Sequence, residues 1–143
     1  MALRLSKGRL YDEINSATET TVMHPMAIEI DPIEALNFWH KIIVHRLRHE
    51  TPDLTTRQMA ILLTIYLAPP PHTVRGLAKS LNISKPAVTR ALDRLGTLDF
   101  TRRKRDVDDG RNVLVQRTVK GSVHLREFSD AILAASGSGQ RNP

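Results

Sequence analysis

Between Ser84 and Leu95 the chain reads SKPAVTRALDRL, and from Thr101 to Thr118 it reads TRRKRDVDDGRNVLVQRT. The chemistry these stretches offer is recognition rather than bond-making. Lys85, Arg90, Arg103 and Arg111 supply cationic donors, Ser84 and Thr89 supply hydroxyls, and Asp109 places a carboxylate beside the last arginine. Arginine presents a planar fork of donors that matches phosphate oxygens and the edges of bases. Residues 72–117 hold 11 basic side chains, most of them arginine, against 5 acidic ones, so the whole net charge of +6 resides in that segment. A localised excess of this kind is the electrostatic footprint of a polyanion partner. A solvated basic face is the plainer reading, and the preference for arginine over lysine weighs against it.

Other chemistries find little support. With no cysteine, disulfides, thiolate nucleophiles and Cys-type zinc sites are all removed. HExxH, GxSxG and a phosphate-cradling glycine loop are missing, so neither an enzyme nor a cofactor is expected. His45 and His49 stand four residues apart, a spacing that can place two imidazoles on one metal. Without a third ligand nearby, solvated helix-face histidines are the better reading and no metal is expected. No apolar run reaches the ~18 residues of a membrane span, and residues 1–20 lack a signal-peptide core. The default is a cytoplasmic protein with no membrane partner.

The elements that must hold these side chains can be read from caps and periodicity. Residues 1–30 form an N-terminal arm, with only a weak stripe at Leu3, Leu10, Tyr11 and Ile14. A helix over 31–50 begins at Asp31, with Pro32 in its first position, Glu34 at capping-box spacing and an apolar stripe of Leu36, Trp39, Ile43 and Leu47. Thr55 and Gln58 open a second helix, whose MAILLTIYL (59–67) is apolar almost all round and belongs at the centre of the domain. Pro69-Pro70-Pro71 ends it. A short helix from Thr73 or Val74 turns Leu77, Ala78 and Leu81 inward, and Asn82-Ile83-Ser84 makes a three-residue turn. Ser84 caps the next helix, whose Val88, Ala91, Leu92 and Leu95 share one face, with Pro86, Thr89, Arg90 and Asp93 on or near the other. Strands over 101–106 and 111–118 flank a VDDG turn. Thr118 caps a last helix reaching 135, with Leu125, Phe128, Ile132 and Ala135 on one side, and 136–143 read as a disordered tail.

The fold class is therefore mainly α with a small β-hairpin: a winged helix-turn-helix with flanking N- and C-terminal dimerisation helices. It forms one domain over 31–135, with a DNA-binding core at about 55–118 and dimerisation helices at 31–50 and 118–135. In this arrangement the second helix of the pair enters a major groove about 12 Å wide and the hairpin reaches the adjacent minor groove.

The sequence resembles the multiple-antibiotic-resistance regulators, the MarR family. The likeness is carried by LTTRQMAIL (54–62), TVRGLAKSLNISKPAVTRALDRL (73–95), RRKRDVDDGR (102–111) and VLVQRTVKG (113–121). The resemblance implies a homodimeric, bacterial-type transcriptional regulator, a repressor, bound to a pseudo-palindromic operator in double-stranded DNA, with a small-molecule effector as a further partner. It also implies that Ser84, Lys85, Pro86, Ala87, Thr89 and Arg90 face bases, that Arg111 enters the minor groove, that Arg103, the usual arginine of the first wing strand, is a DNA-binding residue too, and that Asp109 orients the wing tip. Three features depart from the family pattern. Asp99 replaces a glycine and must adopt left-handed geometry, Arg117 replaces a leucine at the junction with the last helix, and only one helix follows Thr118 where two are usual. The alternative from another class is a winged-helix module that binds protein, which would have little use for an arginine-rich wing. Phe38, Trp39 and His40 are read as core or interface positions in preference to an effector pocket.

Overall fold

The computed structural model describes residues 31–137, and the arm at 1–30 and the tail positions 138–143 lie outside the described residues. Helix α1 (Pro32–Arg48) starts where Asp31 accepts a hydrogen bond from the Ile33 N–H at 2.7 Å. Only Ile42 of this helix is buried. Helix α2 (Thr56–Leu67) carries a complete capping box: the Gln58 N–H donates to the Thr55 hydroxyl at 3.2 Å, and the Thr55 N–H donates back to the Gln58 side chain at 3.0 Å. These two bonds satisfy donors that a helix start leaves orphaned. Ile61, Leu62, Ile65 and Tyr66 of α2 then form the centre of the core, as the apolar run predicts.

Strand β1 (His72–Thr73) leads directly into α3 (Val74–Leu81), capped by Thr73. Asn82 ends α3 in the left-handed region at φ 52°, ψ 47°, a geometry that asparagine tolerates. Helix α4 (Lys85–Thr97) follows, with Leu77 and Ala78 of α3 and Val88, Ala91, Leu92 and Leu95 of α4 buried in the shared core. Asp99 takes φ 57°, the left-handed geometry that its position requires. Strands β2 (Thr101–Arg105) and β3 (Val113–Arg117) then lead to α5 (Val119–Ala135), capped by Thr118. No helix among the described residues is long and apolar enough to cross a membrane.

Two expectations need correction. Among the described residues the sheet has three antiparallel strands in the order β1-β3-β2, not two, because His72 pairs with Val115 and Thr73 with Leu114. The wing strands are shorter than expected, and Arg105 pairs with Val113 across a seven-residue tip, 106–112, in place of a tight VDDG turn. On α5, which the sequence does not divide into buried and exposed positions, the fully buried residues are Gly121, His124 and Ala131, while the stripe of Leu125, Phe128, Ile132 and Ala135 is half-buried. The close approach of Tyr66 to Gly121 and the stacking of Phe100 on His124, with ring centroids 4.3 Å apart, select that side.

Arg117 explains how a cation serves at the junction. Its Nε donates to the Ile65 carbonyl at 2.7 Å and its Nη2 to the Ala68 carbonyl at 2.9 Å, so it occupies carbonyls at the C-terminal end of α2, where cations are favoured.

Two buried histidines make the fold sensitive to acid. Among the described residues, His72 and His124 each leave Nε2 without a hydrogen-bond partner. Burial holds both below the ordinary histidine value of 6.5; Arg117 lowers His72 further and Arg46 lowers His124, with Glu127 opposing. The fold thus keeps both rings neutral where the unfolded chain would protonate them. As pH falls below about 6.5 the unfolded state binds more protons, so stability drops and then levels once the folded-state values are passed. Denaturant titrations from pH 7.5 to 5 are expected to show this loss, reduced in a His72→Gln, His124→Gln variant. An equal slope in both proteins would remove the histidines as its cause.

Candidate nucleic-acid interface

The outward face of α4 follows from what its inward face must bury. Ser84 caps the helix by accepting from the Ala87 N–H at 3.3 Å, and Pro86 lies in the first turn, where its missing N–H costs nothing. With Val88, Ala91, Leu92 and Leu95 facing the core, Ser84, Lys85, Pro86, Thr89 and Arg90 are exposed together. Ala87 does not join them. It is only 7% exposed, so its methyl group lies on the covered flank beside Val88 and is withdrawn from the surface that the resemblance assigned to it.

The wing supplies a second basic surface. Arg102, Arg103, Lys104 and Arg105 are all exposed in β2, and Arg111 is exposed at the tip. Asp109 shapes that tip: one carboxylate oxygen accepts from the Arg111 backbone N–H at 3.1 Å and the other from the Asn112 side-chain amide at 3.3 Å. The Asn112 N–H also returns to the Asp109 carbonyl at 2.9 Å, and the Asp106 N–H donates to the Asn112 carbonyl at 3.0 Å. Asp109 thus acts on the backbone that carries Arg111. Val107, 87% exposed at the same tip, was not singled out from the sequence.

Arg103 is placed differently from the other wing cations. Its Nη1 lies 2.8 Å from the Asp93 carboxylate, and its Nη2 donates to the Thr89 carbonyl at 3.1 Å, both on α4. Arg102 instead pairs with Asp99 at 3.5 Å. Asp93, on the outer side of α4, gains its role only from this strand register, which no local pattern in the sequence signals.

Away from this surface, a cavity of about 560 Å³ lies between α1 and α5, lined by residues that include His45, Arg46, His49, His124 and Phe128. Phe38 and Trp39 line neither this cavity nor the smaller one beside it, which His40 borders. The His45 and His49 rings stack 4.0 Å apart, and His49 Nδ1 lies 2.7 Å from the His45 carbonyl oxygen. Among the described residues no group of three or more histidine or carboxylate side chains stands in metal-holding geometry.

Comparison with known proteins bears directly on this arrangement. Residues 54–113, which run from just before α2 to the first residue of β3, match the MarR family. Among solved structures, the fold is similar to the PcaV transcriptional regulator from Streptomyces coelicolor in complex with its natural ligand, at 22% identity and a TM-score of 0.54, covering 73% of this chain and 72% of that one. It is similar to the transcriptional repressor CouR bound to a 23-mer DNA duplex, at 24% identity and a TM-score of 0.54, covering 71% and 66% of the two chains. It is also similar to S. aureus MepR bound to ethidium bromide, at 20% identity and a TM-score of 0.62, covering 74% of each chain. At these identities the likeness establishes a shared winged-helix fold.

Proposed function

We propose, from the match of residues 54–113 to the MarR family, that the chain is a sequence-specific transcriptional repressor, not an enzyme, that binds a pseudo-palindromic operator in double-stranded DNA as a homodimer. The observation that carries this reading is the joint exposure of Ser84, Lys85, Pro86, Thr89 and Arg90 on a helix whose other side is wholly committed to the core, beside a wing that exposes Arg111. In this reading residues 55–118 form the DNA-binding core, α4 enters the major groove with its first turns, and Arg111 enters the minor groove. A helix so anchored presents its outer side chains at fixed spacing, which base readout requires. CouR, whose fold is similar, was solved bound to a 23-mer DNA duplex, which supports a DNA partner in this reading.

A small-molecule effector belongs to the reading too. PcaV and MepR were solved with ligands, and we assign the effector to the cavity between α1 and α5, where His124 stands on the wall with Nε2 unpartnered. A ligand that stabilises the His124→Phe variant as strongly as the natural chain is bound elsewhere.

The test of the function is a titration on duplexes selected from a random pool, with a scrambled duplex beside them. Arg90→Ala is expected to lose about 1–3 kcal/mol on the selected duplex and to relax preference at one position per half-site. Arg111→Ala should weaken binding most where A·T-rich flanks narrow the minor groove. Equal losses of Arg90→Ala on both duplexes would reduce that residue to a phosphate contact. Failure of the natural chain to bind any duplex in a salt-dependent way would overturn the whole reading in favour of a protein-binding module.

A further inference from the structure

We propose that Arg103 is a positioning residue, which fixes the wing to the reading helix and cancels an acidic side chain there, and is not itself a DNA contact. The inference rests on the DNA-binding reading above. Its geometry is specific. One guanidinium spans one helical turn of α4, reaching the Asp93 carboxylate at 2.8 Å and the backbone carbonyl of Thr89 at 3.1 Å. Thr89 is itself one of the proposed reading positions and Arg90 is the next residue, so the wing strand is tied to the backbone of the part of the helix that must hold register.

The sheet explains why this arginine and not its neighbours makes the tie. Side chains alternate along a strand, and directly paired residues share a face. Arg103 pairs with Val115, which in turn pairs with His72, and both are buried. Arg103 therefore leaves the sheet on its covered face, toward the helices. Arg102 and Lys104 leave on the opposite face.

The charge balance points the same way. Asp93 is exposed on the helix offered to a polyanion, where an unpaired carboxylate would repel phosphate. Against Arg103 it is neutralised, and the planar, forked guanidinium makes both bonds at once, which a lysine ammonium cannot do with the same geometry.

The experiment compares the full chain with Arg103→Ala, Arg103→Lys, Asp93→Asn and the Arg103→Ala, Asp93→Asn double variant. Each is titrated on the selected and scrambled duplexes over a range of salt. If residue 103 bound a phosphate, its removal would reduce the slope of log K against log salt by about one unit, and lysine would restore it. A positioning role predicts otherwise. Arg103→Ala should lower the ratio of selected to scrambled affinity about tenfold with the salt slope unchanged, and Arg103→Lys should not restore that ratio. Asp93→Asn should recover affinity for both duplexes in the Arg103→Ala background, where the carboxylate is bare, by clearly more than it does alone. If Arg103→Ala fails to fold, Arg103→Lys carries the same test. A reduced slope restored by lysine, or strictly additive effects of the two positions, overturns the inference while leaving the DNA-binding reading intact. A natural chain that shows no duplex preference overturns both.

Discussion

Gly121→Ala is expected to destabilise the fold by about 3 kcal/mol, lowering the thermal midpoint of a chain of this size by about 10 °C. A Cβ at this position would collide with the Tyr66 hydroxyl and the Phe100 carbonyl oxygen. Neither neighbour is free to yield. The Tyr66 hydroxyl shares its proton between the Phe100 carbonyl at 2.9 Å and the Thr118 carbonyl at 3.0 Å, and accepts from the Thr118 N–H at 2.9 Å. The Thr118 hydroxyl in turn donates to the Asp99 carbonyl at 2.6 Å and accepts from the Gly121 N–H at 3.0 Å. One tyrosine oxygen thus joins α2, the segment after α4 and the start of α5, and room for that junction exists only because residue 121 has no side chain. Tyr66→Phe alone should cost about 2 kcal/mol, since it strands a buried carbonyl and an N–H. In the Tyr66→Phe background the alanine should cost clearly less than it does alone, because half of its clash has gone, a coupling that a double-mutant cycle by denaturant unfolding measures. Full additivity, or an unfolding midpoint unmoved by Gly121→Ala, would refute this account of the junction.

The same junction shows where sequence and structure part company. Features set by a residue and its near neighbours were legible. Ser84, Thr55 with Gln58, and Asp31 cap where their spacing placed them, and Asn82 and Asp99 adopt the left-handed geometry that their positions required. The inward faces of α3 and α4 followed from apolar spacing alone, since burying those side chains is what folds the helices together. Features set by distant partners were not legible. Strand β1 is two residues long, too short for any periodicity, and exists only because β3 lies beside it. On α5 the apolar stripe of Leu125, Phe128 and Ile132 was legible, but contact with Tyr66 and Phe100 also buries Gly121 and His124, which no hydrophobic pattern would select. Ala87 sits at the edge between two faces, where a 100° step per residue does not decide burial. Arg103 was visible as a cation, but its attachment to Asp93 and Thr89 depends on strand register, which the sequence expressed only weakly.

Replacing Leu36 and Leu47 by glutamate is expected to turn a dimer into a monomer at micromolar concentration and to reduce affinity for a two-half-site operator at least 100-fold. The ground is the outer face of α1, where Ile33, Leu36, Trp39, Ile43 and Leu47 are between 40% and 80% exposed. At 100° per residue these five fall within one third of the helix circumference, so they form a single stripe. Val123 and Leu133 of α5 add to the exposed apolar surface. Soluble proteins rarely leave so large a contiguous apolar surface in water, and a stripe of this width matches the core of an isologous interface. Burial across a two-fold axis would also set two α4 helices about 34 Å apart, one turn of duplex, and the operator affinity of the pair comes from both half-sites engaging together. Two carboxylates placed in that interface would be desolvated without partners, a cost that prevents association while leaving the core of each protomer untouched. The variant should therefore keep its unfolding midpoint and its affinity for a single half-site, and lose only the gain from the second. Deleting residues 1–30, which lie outside the described residues, should weaken the dimer to a lesser degree. Sedimentation velocity decides between the outcomes: a monomeric natural chain at micromolar concentration rejects the dimer, a dimer surviving both glutamates rejects α1 as its seam, and an unchanged dimer after the deletion rejects the arm's part in it.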